Sequence, residues 1–398
     1  MATYTKFTNG YLCDEGKLVY GELYIDNTTK RIVEKPSEEL IQNIVDLKGL
    51  VLAPGFIDIQ INGIYGVNFS SLKSKQLYKD VMQKYVTTGV TAICPTVTSN
   101  FPDIYEKVLP IYEKTESSIQ CDSLGAHLEG PFINLNKKGC HPVETFTDAK
   151  EGKQKLLNIY GDLSNVSIIT AAPEIDGIMD IIPDIKSKNI TFAIGHTMAD
   201  YQTGVKAVKQ GAKMITHLYN AMPQPHHREA GIVGLITTPD VETPYFGLIC
   251  DNIHVDPSMA TLAYRANPDK TILVTDAMHI LGLPDGTYKW DNRVIVKKGV
   301  RAFLKGTDTL AGSASTLPEC VRNLMNWSGI SLQEAVKTVT NNPAKSIGVE
   351  QERGFLNVGC LADFVVLNFD GYVQSVYKAG NLIKPCSSKQ SNQLKAVL

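Results

Sequence analysis

The sequence of 398 residues lacks the features that mark membrane, disulfide-rich and nucleic-acid-binding proteins. No stretch reaches the roughly 18 uncharged apolar residues of a membrane span. The eight cysteines are scattered and include no C-x-x-C pair, which argues against a thiolate zinc site and a disulfide framework. The net charge of -2 offers no electrostatic attraction to nucleic acid or an anionic membrane. The opening MATYTKFTNG has no signal-peptide pattern, so we expect a cytoplasmic protein.

From residue 50 onward, short β-rich segments alternate with helical segments. Eight segments have the composition of buried strands: VLAPGFIDIQI (51–61), VTAICPT (90–96), SLGAHLE (123–129), VSIITAAPE (166–174), ITFAIGH (190–196), KMITHLY (213–219), YFGLICD (245–251) and TILVTDA (271–277). Segments such as 74–89 and 199–211 repeat apolar residues every three or four positions and end at glycine, as crossover helices do. This alternation predicts an α/β fold, a TIM-like (β/α)8 barrel.

The two ends of the chain have a different pattern. Residues 3–50 and 362–384 hold alternating apolar and polar residues separated by turn residues. We expect residues 1–52 and 353–398 to form one small β-sandwich domain beside a barrel of residues 53–352. Residues 331–349 predict a helix, a breaker and a second short helical turn, and the polar segment 387–398 predicts a loose tail.

Polar residues collect at the carboxyl ends of the predicted strands, where barrel enzymes carry their active sites. The third strand ends with Glu129, the fifth with His196 and the sixth with His217. One carboxylate and two imidazoles form the ligand set of a catalytic divalent metal that keeps one position open for water. We therefore predict a metal site for zinc, iron, manganese or cobalt. The alternative is that one or more of these residues is a hydrogen-bonded structural residue.

Four further polar residues lie at the same edge. Asp276 follows the last strand and is the best candidate for the general acid and base, although an aspartate there also suits a helix cap or a turn. His127 lies two residues before Glu129 and shares its face of the strand, so we predict a supporting hydrogen-bond partner. A further ligand and a core histidine are the alternatives. Gln60 and Asn62, at the end of the first strand, are also expected to support the site.

Eight motifs carry a resemblance to a known family. They are APGFIDIQING (53–63), HLEGPFI (127–133), KKGCHP (137–142), GHT (195–197), THLYNAM (216–222), HHREAGIVG (226–234), VTDAM (274–278) and TLAGS (309–313). In order and spacing, they resemble the N-acetylglucosamine-6-phosphate deacetylases of the amidohydrolase superfamily, over about residues 50 to 365. The superfamily's general His-x-His pair is replaced here by Gln60-x-Asn62. This replacement implies one principal metal held by Glu129, His196 and His217.

The resemblance also implies a reaction and roles for further residues. The reaction is hydrolysis of N-acetyl-D-glucosamine 6-phosphate to D-glucosamine 6-phosphate and acetate. The resemblance further implies one divalent metal per subunit, with zinc as the first candidate, and a homodimer. His141 would polarise the acetamide carbonyl and stabilise the oxyanion. The residues assigned to the sugar phosphate are Cys140, Asn220, Ala221, His227, Arg228, Asp251, His254 and the glycine-containing turn Leu310, Ala311 and Gly312. We therefore expect the protein to bind a small sugar phosphate, and we expect no nucleic acid or membrane partner.

Four points remain open at this stage. Arg228 offers a planar fork suited to phosphate but could be an ordinary surface arginine, and His254 could act in its own site or a neighbouring subunit's. Another superfamily hydrolase, such as a dihydroorotase or an N-acyl amino-acid deacylase, is disfavoured because ITAAPE (169–174) lacks a lysine for carbamylation and the His-x-His pair is missing. A non-catalytic scaffold is disfavoured because it has no need of converging ligands.

Overall fold

Eight parallel strands form the barrel in the computed structural model, which describes residues 3–290, 293–307 and 309–383. The strands are β1 (Phe56–Ile61), β2 (Val90–Thr98), β3 (Ala126–Glu129), β4 (Val166–Ala171), β5 (Thr191–Ile194), β6 (Met214–Ile215), β7 (Tyr245–Leu248) and β8 (Thr271–Leu273). Each strand pairs with the next along the chain. Beyond β8, the Asp276 N–H donates to the Gln60 carbonyl over 2.8 Å and closes the ring. The predicted (β/α)8 barrel is confirmed.

Helices lie outside the barrel, most of them between consecutive strands and the last three after β8. They are α1 (Lys75–Tyr85), α2 (Pro102–Val108), α3 (Lys153–Tyr160), α4 (Ile178–Ser187), α5 (Tyr201–Gln210), α6 (Pro257–Ala266), α7 (Leu317–Ser328), α8 (Leu332–Lys337) and α9 (Asn341–Ile347). Side-chain caps mark the starts of α1 and α5: the Ser74 hydroxyl accepts from the Leu77 N–H, and the Asp200 carboxylate accepts from the Thr203 N–H. A 3-10 helix, Ile232–Thr237, takes the place of an α-helix between β6 and β7.

The barrel strands are apolar on both faces because helices cover one face and the interior the other. Every residue of β1 and β4 is buried. Among residues 3–290, 293–307 and 309–383, no helix has both the length and the apolar character needed to cross a membrane.

Both ends of the chain contribute to one small β domain, as predicted. Its strands are Tyr4–Asp14, Lys17–Asp26, Ile32–Val33, Ile41–Asp46, Val51–Pro54, Phe364–Leu367, Val373–Lys378 and Asn381–Ile383. Tyr4–Asp14 pairs first with Ile41–Asp46 and then with Val51–Pro54, so the sheet branches there. Antiparallel pairing of Val51–Pro54 with Phe364–Leu367 joins the two ends. The predicted loose tail, 387–398, lies outside the described residues.

The predicted first strand, 51–61, is two strands in two different sheets. Val51–Pro54 belongs to the terminal domain and Phe56–Ile61 to the barrel, with Gly55 between them. A Cβ on Gly55 would lie 2.1 Å from Thr91 Oγ1, so only glycine allows this close passage. A continuous apolar run concealed the crossing in the sequence. The expected boundaries at 52/53 and 352/353 remain predictions.

An insertion between β8 and α7 was not predicted. Its strands are Gly286–Trp290, Arg293–Lys298, Arg301–Leu304 and Leu310–Ser313, and they form an antiparallel sheet. Leu310, Ala311 and Gly312 were expected to form a turn, and this is wrong: they lie in the last strand of the insertion, Leu310–Ser313. The Ser313 N–H donates to the Asp276 carbonyl over 3.1 Å. This bond holds the strand against the barrel opening.

A buried ion cluster joins the terminal domain to the barrel. Lys378 Nζ lies 2.6 Å from Asp122 Oδ2 and 2.7 Å from Asp363 Oδ2. Arg353 Nη1 lies 2.9 Å from the same Asp122 oxygen. All four residues are buried, so each charge depends on its partners for compensation.

Candidate active site

Three side chains from three strand ends meet around one carboxylate oxygen. His217 Nε2 lies 3.0 Å from Glu129 Oε1, and His196 Nε2 lies 3.2 Å from it. The two Nε2 atoms are 3.1 Å apart. Glu129, His196 and His217 are all buried at the carboxyl end of the barrel. The structure therefore brings together the three residues that the sequence predicts as metal ligands.

The backbone is left-handed at several of these positions. His196, His217 and Asp276 have φ values of 50°, 29° and 46°. A non-glycine residue in this region costs about 1–3 kcal/mol and persists only where the surrounding structure holds it. These turns end the strands immediately before the loops that surround the opening, and such held conformations cluster at functional sites.

The hydrogen-bond pattern of the cluster tests whether it suits a metal. His196 Nδ1 lies 2.8 Å from the Lys137 carbonyl, which can only accept, so Nδ1 carries the proton and Nε2 presents a lone pair. That lone pair faces the Glu129 oxygen, an unfavourable contact that a cation relieves. Zinc bonds of about 2.0–2.1 Å at tetrahedral angles separate ligand atoms by roughly 3.3 Å. The separations given above are close to this value, so the residues fit a divalent metal.

A third histidine lies beside the cluster. Ligand atoms of Glu129, His141 and His196 all lie within 4.8 Å of one another, which makes His141 a second candidate ligand on distance alone. His141 Nε2 is 3.9 Å from Glu129 Oε2, farther than the contacts made by His217 and His196. On its other side, His141 Nδ1 is 2.7 Å from Ser99 Oγ.

Asp276 lies in a network of amide donors. Asn62 Nδ2 donates to Asp276 Oδ1 over 2.7 Å. Gln60 Nε2 lies 3.1 Å from Glu129 Oε1 and 3.5 Å from Asp276 Oδ1, so it lies between the two carboxylates. Burial raises the pKa of Asp276 to about 6, and the negative charge of Glu129 adds to the effect. An aspartate with this pKa can both accept and return a proton near neutral pH.

Electrostatics separate the roles of the other titratable groups. Burial opposes the charge on Glu129, but in the metal-free protein the His196 and His217 rings, when protonated, outweigh it and hold the pKa of Glu129 well below the ordinary value. Burial also opposes the charge on His217, yet the hydrogen bond to Glu129 and the negative charge of Glu129 together raise the pKa of His217. Burial, with the neighbouring His196, lowers the pKa of His141 to about 3, so this imidazole is neutral at neutral pH.

His127 lies beneath the cluster, and both of its ring nitrogens are engaged. Nδ1 is 2.9 Å from the Ile59 carbonyl and Nε2 is 2.7 Å from Thr170 Oγ1. Thr170 Oγ1 in turn lies 2.7 Å from Thr216 Oγ1, next to His217 in the chain. Because both nitrogens are engaged, neither is available to a metal. These contacts agree with the supporting hydrogen-bond role that the sequence suggested.

A cavity of about 190 Å³ opens beside the cluster. Residues assigned to the sugar phosphate by resemblance line it: Cys140, Asn220, Ala221, His254, Leu310, Ala311 and Gly312. Asp251 is not in the lining; its Oδ2 lies 2.7 Å from His254 Nδ1 and orients that ring from behind. Trp290, from the unpredicted insertion, forms part of the wall.

His227 and Arg228 do not join this cavity. Both are exposed on the loop after β6, where Arg228 Nη1 lies 2.9 Å from His227 Nε2. The structure of the single chain therefore does not place the Arg228 guanidinium at the cavity lined by His254.

Two functional candidates were missed in the sequence. Ser99, one residue after β2, is fully buried against His141. Asp58 is fully buried in β1 and accepts a hydrogen bond over 2.6 Å from the hydroxyl of Thr275, the residue that precedes Asp276. Asp58 had a detectable signal, because a charged residue inside an apolar strand shares a face with Gln60. Ser99 had none, since a single serine after a strand is common.

A larger cleft of about 690 Å³ lies at the opposite end of the barrel, before the starts of β5 to β8. It is bordered by the side chains of Lys186, Lys209, Lys213 and Lys270 together with Asp240 and Glu242. Its lining contains no histidine or cysteine. The chemistry-bearing residues thus converge at the smaller cavity.

Comparisons with known proteins agree with this architecture. The profile of the Amidohydrolase family matches residues 51–383. The N-acetylglucosamine-6-phosphate deacetylase of Caenorhabditis elegans is 40% identical over 351 residues, covering 85% of this chain and 84% of the relative. The chain belongs to the amidohydrolase family, in the branch formed by the N-acetylglucosamine-6-phosphate deacetylases.

Solved structures give the same result. The crystal structure of N-acetylglucosamine-6-phosphate deacetylase from Pasteurella multocida has a TM-score of 0.84 at 28% identity and covers 96% of this chain and 99% of that one. The structure of a mutant N-acetyl-D-glucosamine-6-phosphate deacetylase from Mycobacterium smegmatis, in complex with N-acetyl-D-glucosamine-6-phosphate, has a TM-score of 0.80 at 26% identity. The match covers 96% of this chain and 99% of that one.

Proposed function

We propose that this protein hydrolyses N-acetyl-D-glucosamine 6-phosphate to D-glucosamine 6-phosphate and acetate. The observation that carries the proposal is the meeting of Glu129, His196 and His217 within 3.0–3.2 Å, beside Asp276, in a chain whose relatives bear this enzyme name. A scaffold would have no physical need for these contacts, and the left-handed turns that present them carry a cost.

Glu129, His196 and His217 would hold one divalent metal per subunit, with zinc as the first candidate. When bound, such a metal polarises water and the substrate carbonyl as a Lewis acid. His217 is preferred to His141 as the third ligand because its Nε2 lies nearer to Glu129, at 3.0 Å against 3.9 Å. The chain's contribution is to hold these donors before the metal arrives.

Asp276 moves the proton in this reaction. Its carboxylate accepts a proton from the attacking water, and the same group then returns it to the departing amine. Asn62 donates to Asp276 Oδ1 over 2.7 Å and so fixes the orientation of the carboxylate. The raised pKa of about 6 leaves the group unprotonated at neutral pH while keeping it basic enough for this task.

His141 stabilises the negative charge that develops on the acetamide oxygen. Its ring lines the cavity, and its low pKa keeps it neutral, so it acts as a hydrogen-bond donor and not as a cation. A donor of this kind typically contributes about 10²–10³ in kcat.

The sugar phosphate would occupy the cavity lined by Asn220, Ala221, His254 and residues 310–312 of the insertion's last strand. Asp251 supports the His254 ring from behind. Arg228 is exposed outside this cavity, so its assignment to phosphate requires movement of its loop or a neighbouring subunit. A cytoplasmic homodimer is part of the proposal, and light scattering on the purified protein tests the dimer.

The direct test is acetate release by the metal-loaded protein from N-acetylglucosamine 6-phosphate and from the unphosphorylated sugar. We expect release from the phosphorylated sugar and little from the other. Equal rates would contradict the sugar phosphate assignment, and no release from either would contradict the deacetylase assignment.

A further inference from the structure

We infer that Ser99 is a positioning residue that holds His141 as its Nε2–H tautomer, so that the ring donates a hydrogen bond into the cavity and does not ligate the metal. The inference deepens the proposed function, on which the role of His141 rests. It is carried by the contacts of a serine that lies one residue beyond β2 and is fully buried.

The backbone of Ser99 determines which ring nitrogen of His141 carries the proton. The Ser99 N–H points at His141 Nδ1, with 3.2 Å between the nitrogens. A backbone N–H can only donate, so Nδ1 must accept. A neutral imidazole has one protonated nitrogen, and the proton therefore lies on Nε2.

The hydroxyl of Ser99 adds a second and shorter contact to the same atom. Ser99 Oγ lies 2.7 Å from His141 Nδ1 and 3.4 Å from the Glu129 carbonyl. The shorter contact takes the hydroxyl proton, because 2.7 Å lies within the usual range for a hydroxyl donor and 3.4 Å lies outside it. Both groups of Ser99 thus donate to Nδ1, which excludes a proton there.

Gly130 leaves the space that this hydroxyl occupies. A Cβ on Gly130 would lie 2.1 Å from Ser99 Oγ, and the Gly130 φ of 76° also favours glycine. Room for the serine hydroxyl is therefore built into the turn that follows Glu129.

His196 shows the opposite arrangement in the same site. Its Nδ1 faces the Lys137 carbonyl over 2.8 Å, so its Nε2 presents a lone pair. His141 and His196 have ring centroids only 4.5 Å apart, yet their outer partners assign one as a donor and the other as a ligand. This difference explains how His141 can lie near Glu129 without belonging to the metal ligands.

The first test reads the tautomer without substrate. Two-bond proton–nitrogen correlation spectra of histidine-labelled, zinc-loaded protein distinguish the two neutral tautomers, and His141→Gln assigns the signal. We expect the Nε2–H form in the wild type and also in Ser99→Ala, because the backbone N–H at position 99 still donates to Nδ1. The Nδ1 resonance should shift in the variant, because the hydroxyl's hydrogen bond to it is lost. A wild-type Nδ1–H form, or direct metal ligation by His141, would overturn the inference.

The second test is kinetic. Ser99→Ala should lower kcat roughly five- to twentyfold, the effect of one lost hydrogen bond, with KM and metal content unchanged. In the His141→Gln background, Ser99→Ala should change kcat less than twofold, since the ring it positions is gone. Equal losses in both backgrounds would reveal a general structural role and reject the inference.

Ser123→Ala is the matched control. This buried serine donates its hydroxyl to the Tyr112 carbonyl over 2.9 Å, so its loss carries a comparable folding cost without touching a histidine. Its kcat should stay within twofold of the wild type. If the wild type shows the Nε2–H tautomer but releases no acetate, the proposed function fails while the tautomer assignment stands.

Discussion

Asn62 Nδ2 donates to Asp276 Oδ1 over 2.7 Å, so a side chain that follows β1 fixes the carboxylate that follows β8. Gln60, two residues earlier, donates to Glu129 Oε1 over 3.1 Å. Neutral amides from the end of the first strand thus hold carboxylates at the ends of the third and last strands, where the wider superfamily was expected to carry two imidazoles. They orient two carboxylates without supplying ligands for a second metal.

Asp276 makes the stability of the metal-free protein depend on pH. Its folded-state pKa of about 6 lies above the roughly 3.9 of an unfolded aspartate. A raised carboxyl pKa stabilises the fold fully below pH about 4, and this stabilisation is lost as the pH rises through about 6. Calorimetry of chelated protein should therefore show Asp276→Asn melting above the wild type at pH 8 and together with it at pH 4. The same Tm difference at both values would contradict this.

The ligand set can be tested by metal analysis of single variants. His196→Ala and His217→Ala should each lose bound metal and turnover, whereas His141→Ala should keep about one equivalent per chain and lose only turnover. The physical reason is that Nε2 of His196 and His217 lies within 3.2 Å of Glu129 Oε1, while His141 Nδ1 is bonded to Ser99. Metal loss from His141→Ala alone would transfer the ligand role to His141.

Arg228→Ala tests the phosphate assignment. Loss of a charge-assisted hydrogen bond should weaken kcat/KM for the phosphorylated sugar by about 2–3 kcal/mol, with little change for the unphosphorylated one. Because Arg228 is exposed outside its own chain's cavity, full activity on both sugars would identify it as a surface residue. Equal losses on both would show an effect on fold or geometry instead.

Lys378→Met tests the ion cluster between the domains. Removing this buried cation leaves Asp122 and Asp363 with Arg353 as their remaining shared cation, so two buried carboxylates face one positive charge. This should lower the free energy of unfolding by about 3–5 kcal/mol. Lys107→Met is the control, since its pair with Asp103 is exposed and should contribute less than about 1 kcal/mol. Denaturant unfolding measures both, and similar losses would contradict the burial argument.

Periodicity in the sequence predicted the barrel and placed Glu129, His196 and His217 at strand ends, because parallel strands must end at one edge. It could not show that the run 51–61 changes sheets at Gly55, since both pieces are equally apolar. The insertion 286–313 was missed because its short strands follow the eighth predicted strand, at which the barrel pattern is already complete.

The sequence predicted the site residues whose side-chain chemistry and strand position point to a function. It did not predict those whose roles depend on where a loop lies or which side chain they contact. His141 was found only through resemblance, as no strand periodicity places a residue in the loop after β3. Ser99 is a common residue whose role depends on contact with a ring 42 positions away. The exposure of Arg228 could not be inferred either, because a loop's direction is set by packing that the sequence does not state.

The most direct test compares acetate release by metal-loaded wild type and Asp276→Asn with N-acetylglucosamine 6-phosphate. Asparagine keeps the size of Asp276 and can still pack beside Asn62 but cannot accept a proton, so the variant should fold, bind metal and bind substrate. Turnover should fall by at least the roughly 10²–10⁴-fold typical of general acid–base catalysis. A variant that keeps more than about a tenth of wild-type turnover would contradict the proton-transfer role of Asp276.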